Sequence, residues 1–133
     1  MPRHAFENLT ESMFYVLMAL TRGDACGTEI AAFASQISGG TVRLGPATLY
    51  TLLSRFESEG FVAEAGTVGT KRYYRLTAAG QAAYDAERAR LQRCLEDAAR
   101  AQITAPATLP KGEQRDEDYQ QRNGTPSDPL PAL

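Results

Sequence analysis

No run of about 18 apolar residues occurs in this chain, so no membrane-spanning helix is expected. The N-terminus lacks the basic, apolar and small-residue succession of a signal peptide, and the expected setting is the cytoplasm. Two cysteines in 133 residues, Cys26 and Cys94, are too few for a disulfide framework. They read as reduced structural thiols, since only Arg90 and Arg93 lie near either one in sequence to lower a thiol pKa. The single histidine, His4, lies in an N-terminal arm, which argues against a metal site and a Cys–His catalytic pair. No acid/base pair, nucleophile–base spacing or phosphate-cradling loop appears. An enzyme is not expected, nor a cofactor.

A surplus of basic charge is missing too. Fourteen Lys and Arg stand against sixteen Asp and Glu, a net charge of −2, and residues 1–102 are balanced at eleven of each. Total charge therefore gives no pointer to nucleic acid. Within 41–76, five cations (Arg43, Arg55, Lys71, Arg72 and Arg75) face three acids, so the basic charge is local.

What is present centres on residues 45–60. Pro46 follows Gly45 and Gly60 closes the stretch, the expected punctuation of a short helix. Leu49, Leu52, Leu53 and Phe56 recur at i, i+3, i+4 and i+7 and form one buried stripe. The opposite face carries Ala47, Tyr50, Thr51, Ser54 and Ser58, with Thr48 and Arg55 at its margin. This surface is small and hydroxyl-rich, with no carboxylate before Glu57. It suits a major groove, where Ser, Thr and Tyr bond to phosphates and base edges. The bland alternative is a solvated helix face.

Upstream, Thr10 reads as the N-cap of a helix running to Arg22, with Leu9 and Phe14 as a hydrophobic staple. Met13, Val16, Leu17 and Leu20 make one apolar face, and Phe14, Tyr15 and Met18 another, so the helix needs two packing partners. After a turn at Asp24–Gly27, a second helix carries Ile30, Phe33 and Ile37 and stops at Gly39-Gly40. The order is helix, helix, turn, helix. Two strands, from Phe61 to Gly66 and from Lys71 to Leu76, then flank a turn at Thr67–Thr70. Alternation puts Lys71, Tyr73 and Arg75 on one face of this wing and Arg72, Tyr74 and Leu76 on the other. Thr77 caps an Ala-rich helix continuing to about Gln102, with a seam of Tyr84, Leu91, Leu95 and Ala98. From residue 103 on, proline replaces large apolar residues, as in a disordered tail.

Three segments carry a resemblance to the PadR family of bacterial transcriptional regulators. They are Gly45-Pro-Ala-Thr-Leu-Tyr leading to Arg55-Phe-Glu-Ser-Glu-Gly-Phe-Val, then Lys71-Arg-Tyr-Tyr-Arg-Leu-Thr-Ala-Ala-Gly80, and the helix Phe14 to Leu20. The chain resembles the shorter subfamily, with one C-terminal helix, over roughly residues 9–100. The resemblance implies a homodimer of winged helix-turn-helix subunits that binds operator DNA, usually represses transcription, and often responds to small aromatic or drug-like ligands. By position it places Thr48 and Tyr50 in the recognition segment and Lys71 and Arg72 in the basic wing. Two features depart from it: Gly27 is followed by Thr28 where members often carry Gly-Tyr, and there is no Trp to stack on a flat ligand.

The expected fold is mainly α with a small β-hairpin. Residues 1–76 form a winged helix-turn-helix with an N-terminal dimer-packing helix, residues 77–102 a dimerisation helix, and residues 103–133 a tail. The candidate DNA contacts are Arg43, Thr48, Tyr50, Thr51, Ser54, Arg55, Thr70, Lys71 and Arg72. The candidate dimer contacts are Phe14, Tyr15, Met18, Tyr84, Leu91, Leu95 and Ala98. The expected partners are double-stranded DNA, a second copy and a small hydrophobic effector. The competing reading is a winged-helix protein-interaction module without DNA binding.

Overall fold

The computed structural model describes residues 8–104. The described residues fall into two units, 8–94 and 95–104, the second holding the last turns of the C-terminal helix. The arm with His4 and the expected tail from residue 105 on lie outside the described residues.

Helix α1 spans Glu11–Leu20 and starts where the sequence puts it. The Thr10 hydroxyl accepts from the Met13 amide at 3.2 Å, and the Met13 sulfur accepts from the Thr10 amide at 3.4 Å. Two otherwise orphaned N–H groups are thus satisfied. Met13, Val16, Leu17 and Leu20 are buried together with Ala19, whereas Phe14, Tyr15 and Met18 are half-buried. Helix α2 spans Gly27–Ile37. Its buried apolar side chains are Ile30 and Ala34, with Phe33 half-buried beside them. Ile37, expected in that stripe, is 56% exposed: it is the last residue of the helix, past the packed turns.

Helix α3 spans Pro46–Glu59, with Gly45 as N-cap and Gly60 in the left-handed conformation after its last turn. Leu49, Leu52, Leu53 and Phe56 are all buried and join Val16, Leu17, Ile30, Ala34 and Tyr74 in one core. Val42 and Leu44 pin the α2–α3 connector to that core.

The sheet holds three antiparallel strands: β1 (Ala25–Cys26), β2 (Val62–Val68) and β3 (Lys71–Leu76), in the order β1-β3-β2. The sequence reading has only a turn at β1, since two residues carry no alternation to detect. Its wing turn is also too long. Thr67 and Val68 pair with Arg72 and Lys71, leaving a two-residue turn of Gly69 and Thr70. A bulge at Ala65 interrupts β2, because Glu64 lies opposite Tyr74 and Gly66 opposite Tyr73.

Helix α4 spans Ala78–Ile103. The Thr77 hydroxyl caps it, accepting from the Gly80 amide at 3.0 Å and donating to the Gly60 carbonyl at 2.6 Å, which ties its start to the end of α3. Gly80 is required by space: a Cβ there would lie 2.1 Å from the Phe61 carbonyl oxygen.

Candidate nucleic-acid interface

The candidate surface begins with the side of α3 that its leucines leave outside. With that stripe turned inward, Thr48, Tyr50, Thr51, Ser54 and Arg55 are exposed, and the first turn holds no acid. Arg43, in the connector, is exposed with its Nε donating to the Gly40 carbonyl at 3.0 Å. Tyr50 is 48% exposed, yet its ring is not free in solvent. A Cβ on Gly27 would lie 2.5 Å from the Tyr50 hydroxyl oxygen, so the phenol rests on the first turn of α2 in room that only glycine leaves. That contact seats one recognition-face side chain, and sequence reading cannot see it because the two residues are far apart in the chain.

On the wing, Thr70 and Lys71 are exposed at the turn, and among the described residues Lys71 makes no ion pair. Arg72 is placed differently. Its Nη2 lies 3.1 Å from Glu64 Oε1 and 3.5 Å from Glu57 Oε2, and its guanidinium carbon stands 5.2 Å from the centre of the Tyr74 ring. The hydrogen bond from Arg72 to Glu64 comes first in raising the guanidinium pKa further, so this side chain is cationic throughout. Burial raises the Tyr74 phenol, which stays neutral at physiological pH.

Other polar groups are built into the fold. Cys26 is buried at the N-cap of α2, its Sγ 3.3 Å from the Thr28 hydroxyl, while its amide donates to Glu29 at 3.1 Å. Burial pushes this thiol up; hydrogen bonds from the Thr28 hydroxyl and the Glu29 and Thr28 amides outweigh it, so its pKa lies below the ordinary value. Glu87 on α4 is only 5% exposed and accepts from Arg90 at 3.1 and 2.6 Å. The Arg90 hydrogen bonds come first in holding its carboxyl below the usual range, against burial, with help from the Leu9 amide. A glutamate in an Ala-rich helix reads as solvated surface, and no sequence signal marks this one as buried.

Of the residues expected at a subunit contact, Phe14 and Tyr84 stack on each other within the protomer, with ring centres 5.0 Å apart, and Tyr15 meets Phe14 edge-on at 6.1 Å. Tyr15, Met18 and Leu91 are half-buried, whereas Leu95 and Ala98 are exposed. Among the described residues no group of three His, Cys, Asp or Glu side chains is placed to hold a metal ion, and no helix is long and apolar enough to cross a membrane.

Residues 16–86, more than half of the chain, match the transcriptional regulator PadR-like family. No curated protein matches the chain. Among solved structures, a transcriptional regulator from Clostridium thermocellum is 26% identical, with a TM-score of 0.52, covering 69% of this chain and 84% of that one. A PadR family transcriptional regulator from Eggerthella lenta is 23% identical, with a TM-score of 0.53 and coverage of 68% and 82%. RosR of H. salinarum is 21% identical, with a TM-score of 0.53 and coverage of 85% and 91%. The last two likenesses concern the fold.

Proposed function

The chain belongs to the PadR-like family of transcriptional regulators, and we propose that it works as a homodimeric, sequence-specific DNA-binding repressor released by a small aromatic or drug-like ligand. Family membership supports the DNA-binding regulator. The observation that carries the site is α3, whose apolar stripe is wholly buried while Thr48, Tyr50, Thr51, Ser54 and Arg55 face outward directly before a wing. In this reading α3 enters the major groove, its hydroxyls and Arg55 meet base edges and phosphates, and Arg43, Thr70 and Lys71 bond to the backbone on either side. Two copies related by a two-fold axis read half-sites one helical turn apart, about 34–36 Å, or a multiple of it.

The subunits pair through the second face of α1 and the α4 seam: Phe14, Tyr15, Met18, Tyr84, Leu91, Leu95 and Ala98. Support comes from their incomplete burial within the protomer. The effector binds between subunits and changes the angle between the two DNA-binding heads. Identical DNA affinity with and without every aromatic ligand tested would count against that step.

Fluorescence anisotropy with a duplex from upstream of the protein's own gene, against a scrambled duplex across a salt series, tests the DNA reading. Binding should prefer the native duplex and weaken steeply as salt rises, since phosphate contacts release counterions. Equal, weak binding to both duplexes promotes the second reading, a protein-interaction module. That alternative draws support from the balanced charge of residues 1–102 and from the two carboxylates at Arg72. Lys71→Glu with Arg72→Glu separates the two: the pair abolishes DNA binding under the first and spares partner binding under the second.

A further inference from the structure

Arg72 and Lys71 are neighbours in sequence, yet they point to opposite faces of the wing. Lys71, Tyr73 and Arg75 lie on one face; Arg72, buried Tyr74 and Leu76 lie on the other, which packs toward α3. The bulge at Ala65 leaves Glu64 opposite Tyr74, diagonal to Arg72 on that inner face. Glu57 comes from the last turn of α3. One planar guanidinium therefore joins the wing's own partner strand at 3.1 Å, the recognition helix at 3.5 Å and an aromatic ring at 5.2 Å.

We infer that Arg72 is a positioning residue that holds the wing at a set angle to the recognition helix, and not one of the phosphate contacts. This rests on the DNA-binding reading above. Three facts carry it. To reach a phosphate, the side chain would have to pull its Nη2 away from two carboxylates, one of them hydrogen-bonded, and leave a ring face. Its charge is offset where it stands, so it adds little to the count of neutralised phosphates. The two acids come from different elements, so the contact spans the joint between wing and helix, and the twist that a bulge adds beside Glu64 aims that carboxylate across it. An exposed ion pair contributes little to stability. What it restrains is the separation between two DNA-contacting elements that must reach the duplex together.

The test uses the full chain and anisotropy with the native and scrambled duplexes across a salt series, comparing Glu57→Gln/Glu64→Gln, Arg72→Gln and Lys71→Gln with the unaltered protein. Lys71→Gln should weaken binding to both duplexes and flatten the log–log salt slope by about 0.9 for each phosphate no longer neutralised. The acid pair carries the sharper sign. If Arg72 were a phosphate contact, removing two carboxylates beside it would tighten binding. If it positions the wing, the same change weakens binding to the native duplex about tenfold relative to the scrambled one, the scale of one mismatched base pair, with the slope unchanged. Arg72→Gln should match the acid pair, not Lys71→Gln. Both glutamates are partly exposed, so their isosteric amides leave the core intact, as an unchanged circular dichroism melt will register. Tighter or unaltered binding by the acid-pair variant overturns the inference, as does a flattened slope for Arg72→Gln. An unaltered protein that prefers neither duplex overturns the DNA reading and this inference with it.

Discussion

Helices α3 and α4 are both amphipathic in sequence, and the protomer treats them in opposite ways. In α3 all four members of the apolar stripe are buried, so what remains outside is polar and hydroxyl-rich. In α4 the buried residues are Gly80 and Glu87, while Leu91 is half-buried and Leu95 is 66% exposed. A helix whose apolar side is satisfied within its own subunit has its polar side to offer a partner; one with apolar residues left exposed suits another apolar surface. In the proposed reading the first meets DNA and the second a second copy of the chain.

The contrast can be broken most forcefully at Phe56, where α3 meets the core. Phe56→Ala should cost about 3–5 kcal/mol in urea denaturation, enough to unfold much of the protein, because the ring is fully buried. A cost near zero would mean that the stripe is not what holds α3. At the start of α4, Gly80→Ala places a Cβ against rigid backbone and should cost about 1–3 kcal/mol by overpacking. Alanine at the next position, the exposed Gln81, should be tolerated.

Glu87 gives a pH test of the packed part of α4. Its folded pKa lies below the unfolded value, so its contribution is present above the unfolded pKa, about 4.3, and is lost as pH falls through the folded one. Thermal midpoints should therefore drop on acidification below about pH 4.3, and Glu87→Gln should show a lower midpoint at neutral pH with a shallower acid decline. An identical acid profile in the variant would remove Glu87 as a source of the acid sensitivity. The smallest effect on the protomer is expected from Leu91→Glu/Leu95→Glu. Helical content should persist while light scattering reports loss of the proposed dimer; a dimer that survives would move the subunit contact elsewhere.

The sequence made α3 legible because its signals agree: Pro46 and Gly60 mark its ends, and four large apolar residues fall on one side. Thr10 and Thr77 were legible as caps for the same local reason. β1 was not, since two residues form a strand only by pairing with β3, almost 50 positions later. Ile37 shows the limit of periodicity, which gives the direction a side chain points but not where the neighbouring helices stop covering it. At the site, alternation correctly separated Lys71 from Arg72, yet the meaning of that separation depends on Glu57 and Glu64, brought there by the α3–β2 turn and a bulge. The rest of Tyr50 on Gly27 was hidden likewise.

The most direct test of the central claim is the mass of the full chain by size-exclusion light scattering, alone and with a duplex from upstream of its own gene. A dimer is expected in the free state and two protomers on one duplex. A monomer that binds the duplex singly, or a dimer that leaves the duplex free, would contradict that claim.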